Sequence, residues 1–343
     1  MLKEQTQPKT VEERFIVRPP QMSDMEDVLE LLEICDLTMI GEIEAAIETL
    51  QTDWVNPKVT LEKNFRVITT ENGRIIGYAE LWDNHEPLVH TWLWSRVHPE
   101  FEGQGIGTYF LNWAEDISRQ SIDRVPKGAR YTLDTGVTST YKPASDLLTG
   151  QGMKVKRHFY TMMRELDDAV GPPILPDNIT IRPMHGPEEL TAVVTAMEDA
   201  FQDHWGYVEG SFDSELEFWS HVVEADPSFD RELWFLAVDG SEIAGVSLCS
   251  PKFGADEKTG WVNELCVRRP WRRQGIALAL LNHSFGELYR RGKNRVGLGV
   301  DADSFTGATR LYERAGMHAA RRFDVYEMEL RGGIDLVKRT LEE

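Results

Sequence analysis

The 343 residues exceed what one hydrophobic core usually fills, so two domains are expected. Hydrophobic residues at 41% and charged residues at 27% match ordinary globular proteins and argue against disordered, collagenous and membrane-embedded classes. The formal net charge of -20 opposes nucleic-acid phosphates and anionic lipid and favours a cationic small substrate, although solubility alone explains many acidic chains. Cys35, Cys249 and Cys266 are too few and too scattered for a disulfide framework or a thiolate zinc site. With no apolar leader and no run of roughly 18 apolar residues, the expectation is a cytoplasmic protein with no metal and no membrane partner.

In chain order, residues 15–19 read as a short strand ending in Arg18-Pro19, and helical spacing follows over 23–37. Strands at 65–69 and 75–79 flank Glu71, Asn72 and Gly73, a hairpin signature. A glycine loop comes next, Glu102-Gly103-Gln104-Gly105-Ile106-Gly107. At 171–177, Gly171 with Pro172, Pro173 and Pro176 forbids a helix and predicts a linker. The pattern then returns: 179–183 ends in Arg182-Pro183, helical spacing covers 187–201, and strands at 233–238 and 243–248 flank Asp239-Gly240. Arg182 follows Arg18 at the same offset at which Gly316 follows Gly152, and Gln274-Gly275-Ile276 follows Gln104-Gly105-Ile106 at nearly that offset. This indicates a duplicated domain, with an N-terminal copy over 1–170, a linker over 171–177 and a C-terminal copy over 178–335. Each copy reads as an α+β unit, a mixed and mostly antiparallel sheet flanked by helices.

A strand over 261–267 leads through Arg268, Arg269, Pro270 and Trp271 into Arg272-Arg273-Gln274-Gly275-Ile276-Ala277. The helix that follows places Ala277, Leu281, Phe285 and Leu288 on one face, with Gly292 as terminator. Cationic side chains, a glycine without Cβ and a helix N-terminus suit an anion: free amides and the dipole stabilise phosphate oxygens, and arginine adds charge-assisted hydrogen bonds. An ordinary turn with solvated arginines is the plainer alternative for so short a motif.

Val267-x-x-Pro270-x-Arg272-Arg273-Gln274-Gly275-Ile276-Ala277 ahead of a helix resembles the acetyl-CoA pyrophosphate loop of the GNAT N-acetyltransferase superfamily. Leu311-Tyr312-Glu313 ahead of Gly316-Met317 resembles that family's second signature, in the family's order, and the likeness covers nearly all of 179–330. The tandem arrangement is similar to two-domain acetyltransferases of the mycothiol synthase type. The resemblance implies two tandem GNAT domains and an acetyl-CoA-dependent transfer of an acetyl group to a primary amine of a small molecule by direct attack. It gives Leu265, Cys266 and Val267 the alignment of the pantetheine arm and acetyl carbonyl. To Arg272, Arg273, Gln274, Gly275, Ile276 and Ala277 it gives the pyrophosphate. Tyr312 falls on the general acid that protonates the departing thiolate. Ser304 and Phe305 stand where the family often has asparagine, so Ser304 would replace only part of its hydrogen bonding. An amino-acid, polyamine-like or aminoglycoside acceptor is left open.

Cys266, a thiol within a hydrophobic strand, reads as packing and not as a nucleophile. Glu264 is the nearest acid on that strand and the candidate general base, with substrate binding or a solvent-facing charge as alternatives. Asp203, His204 and Trp205 follow the first helix of their copy, where substrate loops lie in the family. Acidic and aromatic groups together suit an ammonium, and a capped, packed loop is the alternative. The first copy departs at two places, with Glu102 where Arg272 stands and Leu148 where Tyr312 stands, which predicts a degenerate domain with a structural or substrate-shaping role. A non-catalytic CoA-binding sensor or scaffold is the rival reading. The duplication allows a monomer, as an internal pseudo-dimer, or a homodimer.

Overall fold

The computed structural model describes residues 9–167, 170–304 and 307–338. In the first half of the chain the strands are β1 (Ile16–Arg18), β2 (Phe65–Thr69), β3 (Ile75–Trp82), β4 (His90–Val97), β5 (Tyr131–Thr138) and β6 (Lys154–Glu165). Its helices are α1 (Met25–Met39), α2 (Ile47–Trp54), α3 (Leu61–Asn64), α4 (Ile106–Gln120) and α5 (Lys142–Gly150). The second half adds β7 (Ile179–Pro183), β8 (Trp234–Asp239), β9 (Glu242–Ser250), β10 (Thr259–Val267), β11 (Arg295–Asp301) and β12 (His318–Arg331). Its helices are α6 (Leu190–Phe201), α7 (Phe212–Ala225), α8 (Ile276–Arg290) and α9 (Ala308–Arg314).

The expected helix over 187–201 opens as a tight turn at Pro187–Glu189 before α6, since proline tolerates the first turn and supplies no amide. Helix α7 was not anticipated. None of its residues is fully buried, so its apolar stripe is weak in sequence, and packing against α6 holds it in place.

All twelve strands form one sheet in the order β1-β2-β3-β4-β5-β12-β6-β11-β10-β9-β8-β7. β6, from the first half, pairs with β11 from Arg295↔Glu165 to Asp301↔Phe159, and β12 pairs with β5. β6 and β12 are themselves antiparallel neighbours at the centre. Sequence order and sheet order therefore part at the sixth strand of each copy, because the copies exchange those strands across the extended segment at 171–177. The exchanged strands carry core residues with them. Met162 and Leu166 pack among the residues under α8, and Tyr326 and Leu330 pack among those under α4.

Four apolar clusters fill the spaces between helices and sheet, one on each face of each half. β10 runs parallel to β11 only from Thr259 to Val262, and β4 runs parallel to β5 only from His90 to Leu93. Past those points each strand pair separates. A wedge opens where backbone groups and side chains of β10 are free to meet a ligand.

Candidate active site

Gly275 caps α8 at φ 84°, a left-handed conformation that side chains disfavour, and a Cβ added there would meet nothing within 4 Å. The unsatisfied amides of the first turn of α8 thus face an open surface with the positive end of the helix dipole. Arg273, exposed at φ 65°, stands beside them with no ion pair among the described residues.

Arg272 is engaged differently. Its Nε donates to the Val267 carbonyl at 3.0 Å, Nη1 to the Asp203 carboxylate at 2.6 Å, and Nη2 to the Ala200 carbonyl at 2.9 Å. Arg269 also holds Asp203, with Nε at 2.8 Å. Bonds from Arg269 and Arg272 keep the Asp203 carboxyl far below the usual carboxylate range. Asp203 therefore does not wait for a substrate ammonium: it ties the end of α6 to the loop. Arg272 positions that loop from behind, because two guanidinium groups and one buried carboxylate meet at the junction.

The wedge between β10 and β11 holds a cavity of about 190 Å³ lined by Glu264, Leu265, Ser304, Tyr312, His204 and Trp205, among others. A second cavity, of about 310 Å³, shares Phe201, His204 and Glu264 with the first and runs between α6 and α7 past Glu198, Tyr207, Glu215, Phe218 and Trp219. A wider depression of about 490 Å³ around Arg164, Asn282 and His318 contains none of the expected residues. Phe305, beside Ser304, lies outside the described residues.

Glu264 reaches this junction through a β-bulge. Val262 opposes Cys249 while Glu264 opposes Leu248, so Asn263 is an extra residue on β10. Val262 and Leu265 consequently both belong to the α8 side, and Cys266 to the α6 side. Burial, with the charge of Glu215 adding, pushes the Glu264 carboxyl up to about 7. Tyr312 is 7% exposed, and burial followed by the charge of Glu264 holds its phenol well above the ordinary range. Burial pushes the Cys266 thiol up to about 12, which leaves it neutral and packed at physiological pH. His204 stands edge-on to Phe201 at 4.6 Å, and burial lowers its pKa. Trp205 lies against Phe159 of β6 at 6.4 Å, with Arg157 over its ring at 4.9 Å.

A profile of the acetyltransferase (GNAT) family matches residues 27–139 and again 194–317. The chain belongs to the GNAT family. It is an acetyltransferase of two tandem GNAT repeats. A mycothiol acetyltransferase of Streptomyces bingchenggensis is 30% identical over 264 residues, covering 76% of this chain and 77% of that one. The structure of a GCN5-related N-acetyltransferase from Sphaerobacter thermophilus superposes with a TM-score of 0.78 at 32% identity, over 95% of this chain and 99% of that one. A tandem GNAT protein from the clavulanic acid biosynthesis pathway, at 15% identity and a TM-score of 0.72 over 93% of this chain and 100% of that one, shares the fold.

In the first GNAT repeat the corresponding places are filled. Val97 pairs with Gly77 as Val267 pairs with Gly245, which puts Arg96 at the position of Cys266 and Trp94 at that of Glu264. Glu102 accepts a short hydrogen bond from the Tyr141 hydroxyl, and Arg14 donates to the Gln104 carbonyl within the glycine loop. Leu148 is buried at 6% exposure. Sequence reasoning missed Glu198, Glu215 and Phe159. The first two sit on helices with no motif, and Phe159 reaches the site only through strand exchange.

Proposed function

We propose that the second repeat transfers an acetyl group from acetyl-CoA to a primary amine of a small cationic molecule, while the first repeat does no chemistry. The observation that carries this reading is the junction at Glu264. A half-buried carboxyl with no hydrogen-bond partner among the described residues lies between one cavity bearing Tyr312 and another bearing Glu198 and Glu215. The donor fits the residues present: an open left-handed glycine at a helix start, Arg273 beside it, and a strand edge released by the β10 and β11 wedge. Arg273, Gln274, Gly275, Ile276 and Ala277 would hold the pyrophosphate, Leu265, Cys266 and Val267 the pantetheine arm, and Ser304 lines its path. Acetyl-CoA supplies an activated acyl thioester when bound.

Glu198, Glu215, Phe218 and Trp219 offer an ammonium both charge and aromatic faces. Glu264 takes the proton that the amine must lose before it attacks, a role suited to a carboxyl near 7. Tyr312 then delivers its hydroxyl proton to the departing sulfur. The two groups are coupled in a useful sense: the negative charge on Glu264 raises the phenol, so neutralising Glu264 makes Tyr312 a stronger acid at the moment it is needed. The relatives' name supports a mycothiol-type acceptor as a second reading. Release of free CoA thiol, measured against amino acids, polyamines, aminoglycosides and a cysteinyl pseudo-disaccharide, tests both. Amine-dependent release with polyamine or aminoglycoside establishes the first, release confined to the pseudo-disaccharide the second, and no amine-dependent release refutes transfer.

A further inference from the structure

The first repeat has a filled donor loop, yet its acceptor side is open. A cavity of about 320 Å³ lies between α1, α2, β3 and β4, walled by half-buried Trp82, Trp92 and Trp94. The ring of Trp94 is covered by the Arg96 guanidinium at 4.1 Å. That charge faces Asp36, Glu44 and Glu80, and Glu44 also pairs with Arg321. Two further acids stand on the wall. Glu80 accepts from the Tyr78 hydroxyl at 2.8 Å and from Trp82 Nε1 at 3.0 Å. The Asp53 carboxylate has neither a hydrogen bond nor an ion pair among the described residues.

We propose that this cavity binds a small organic cation bearing an ammonium group, without chemistry, Asp53 and Glu80 meeting the charge and the faces of Trp82 and Trp92 the carbon skeleton. Burial and the neighbouring Glu80 charge hold the Asp53 carboxyl above its ordinary range, and an ammonium placed beside it would favour its ionised form. An organic cation fits better than a metal ion, because the walls offer ring faces and, among the described residues, a single carboxylate, that of Asp53, without a side-chain partner. The reaction side chains are gone from this half, with Trp94 in the place of Glu264 and Leu148 in that of Tyr312, so occupancy here is binding alone. The inference is independent of which amine the second repeat acetylates.

Two-dimensional NMR of the indole N–H groups tests it on the full chain, titrated with n-butylammonium chloride at fixed ionic strength and, separately, with the neutral isostere n-butanol. Saturable shifts at Trp82 and Trp92 are expected with n-butylammonium only, with affinity about tenfold weaker in Asp53→Asn. No saturable shift, an equal response to n-butanol, or undiminished affinity in a folded Asp53→Asn overturns the proposal. The same titration in Glu264→Gln separates the two halves, since the first-repeat shifts should persist when the second site is disabled. Their loss there would assign them to the second site and overturn the proposal as well, whereas failed acetyl transfer with intact first-repeat shifts would count against the catalytic reading alone.

Discussion

Glu264 must be ionised to accept the amine proton, and burial beside Glu215 brings it to about 7. The rate constant kcat/KM should therefore rise with pH through about 7 and level off above it, because the protonated carboxyl is inactive. Glu264→Gln should flatten that limb and lower turnover by about 10² to 10⁴-fold. Glu215→Gln removes the like charge and should move the limb to lower pH, so an unmoved limb would detach the titration from Glu264. For Tyr312, replacement by Phe keeps the packed ring and deletes only the hydroxyl. Turnover should fall by about 10² to 10⁴-fold with acetyl-CoA affinity retained. Since the phenol is held above its ordinary range, no alkaline limb from it should show below about pH 10. Normal turnover in the Phe variant would leave Tyr312 as packing, with water as the acid.

At the scale of elements, the glycine loop divides labour between two adjacent arginines. Arg272 faces inward on three hydrogen bonds, and Arg273 stands exposed beside the start of α8. Arg273→Ala should weaken acetyl-CoA by roughly 1.5 kcal/mol, about tenfold, without moving Tm, since a charge-assisted contact to ligand is lost and no protein contact is. Arg272→Ala should lower both affinity and Tm, because the end of α6 loses its anchor. Calorimetry and thermal melts on the pair decide this, and unchanged affinity in Arg273→Ala would leave the phosphate to the backbone amides. The loop was legible in sequence because glycine and cation spacing is local. The bulge at Asn263 was not, since it exists only in the register of β10 against β9.

For the whole molecule, strand exchange makes each repeat a structural requirement of the other. The edge of β11 is completed by β6 from the first half, and that of β5 by β12 from the second. Cleavage at an engineered protease site within 171–177 should leave two pieces that elute together and still release CoA. The second piece produced alone should fail to fold, lacking the partner strand of β11 and the buried Met162. A folded, active second piece on its own would show that the exchange is dispensable.

Local chemistry is what the sequence alone determined: the duplication, the α+β alternation, the glycine loop at a helix start, and the candidates Tyr312 and Glu264, since each rests on residues close together in the chain. Whether a charge is free was decided only by the tertiary structure. Asp203 and Arg272 carry the residue types of a substrate and a phosphate site, but 69 residues of separation along the chain hide that they bind each other. Glu198, Glu215 and Phe159 reach the site from two helices and an exchanged strand, and the cavity holding Asp53 exists only because α1 and α2 pack over β3 and β4. Spacing reports which groups a segment presents, whereas burial and partners, which set the charge state of those groups, come from contacts between segments that the chain order does not bring together.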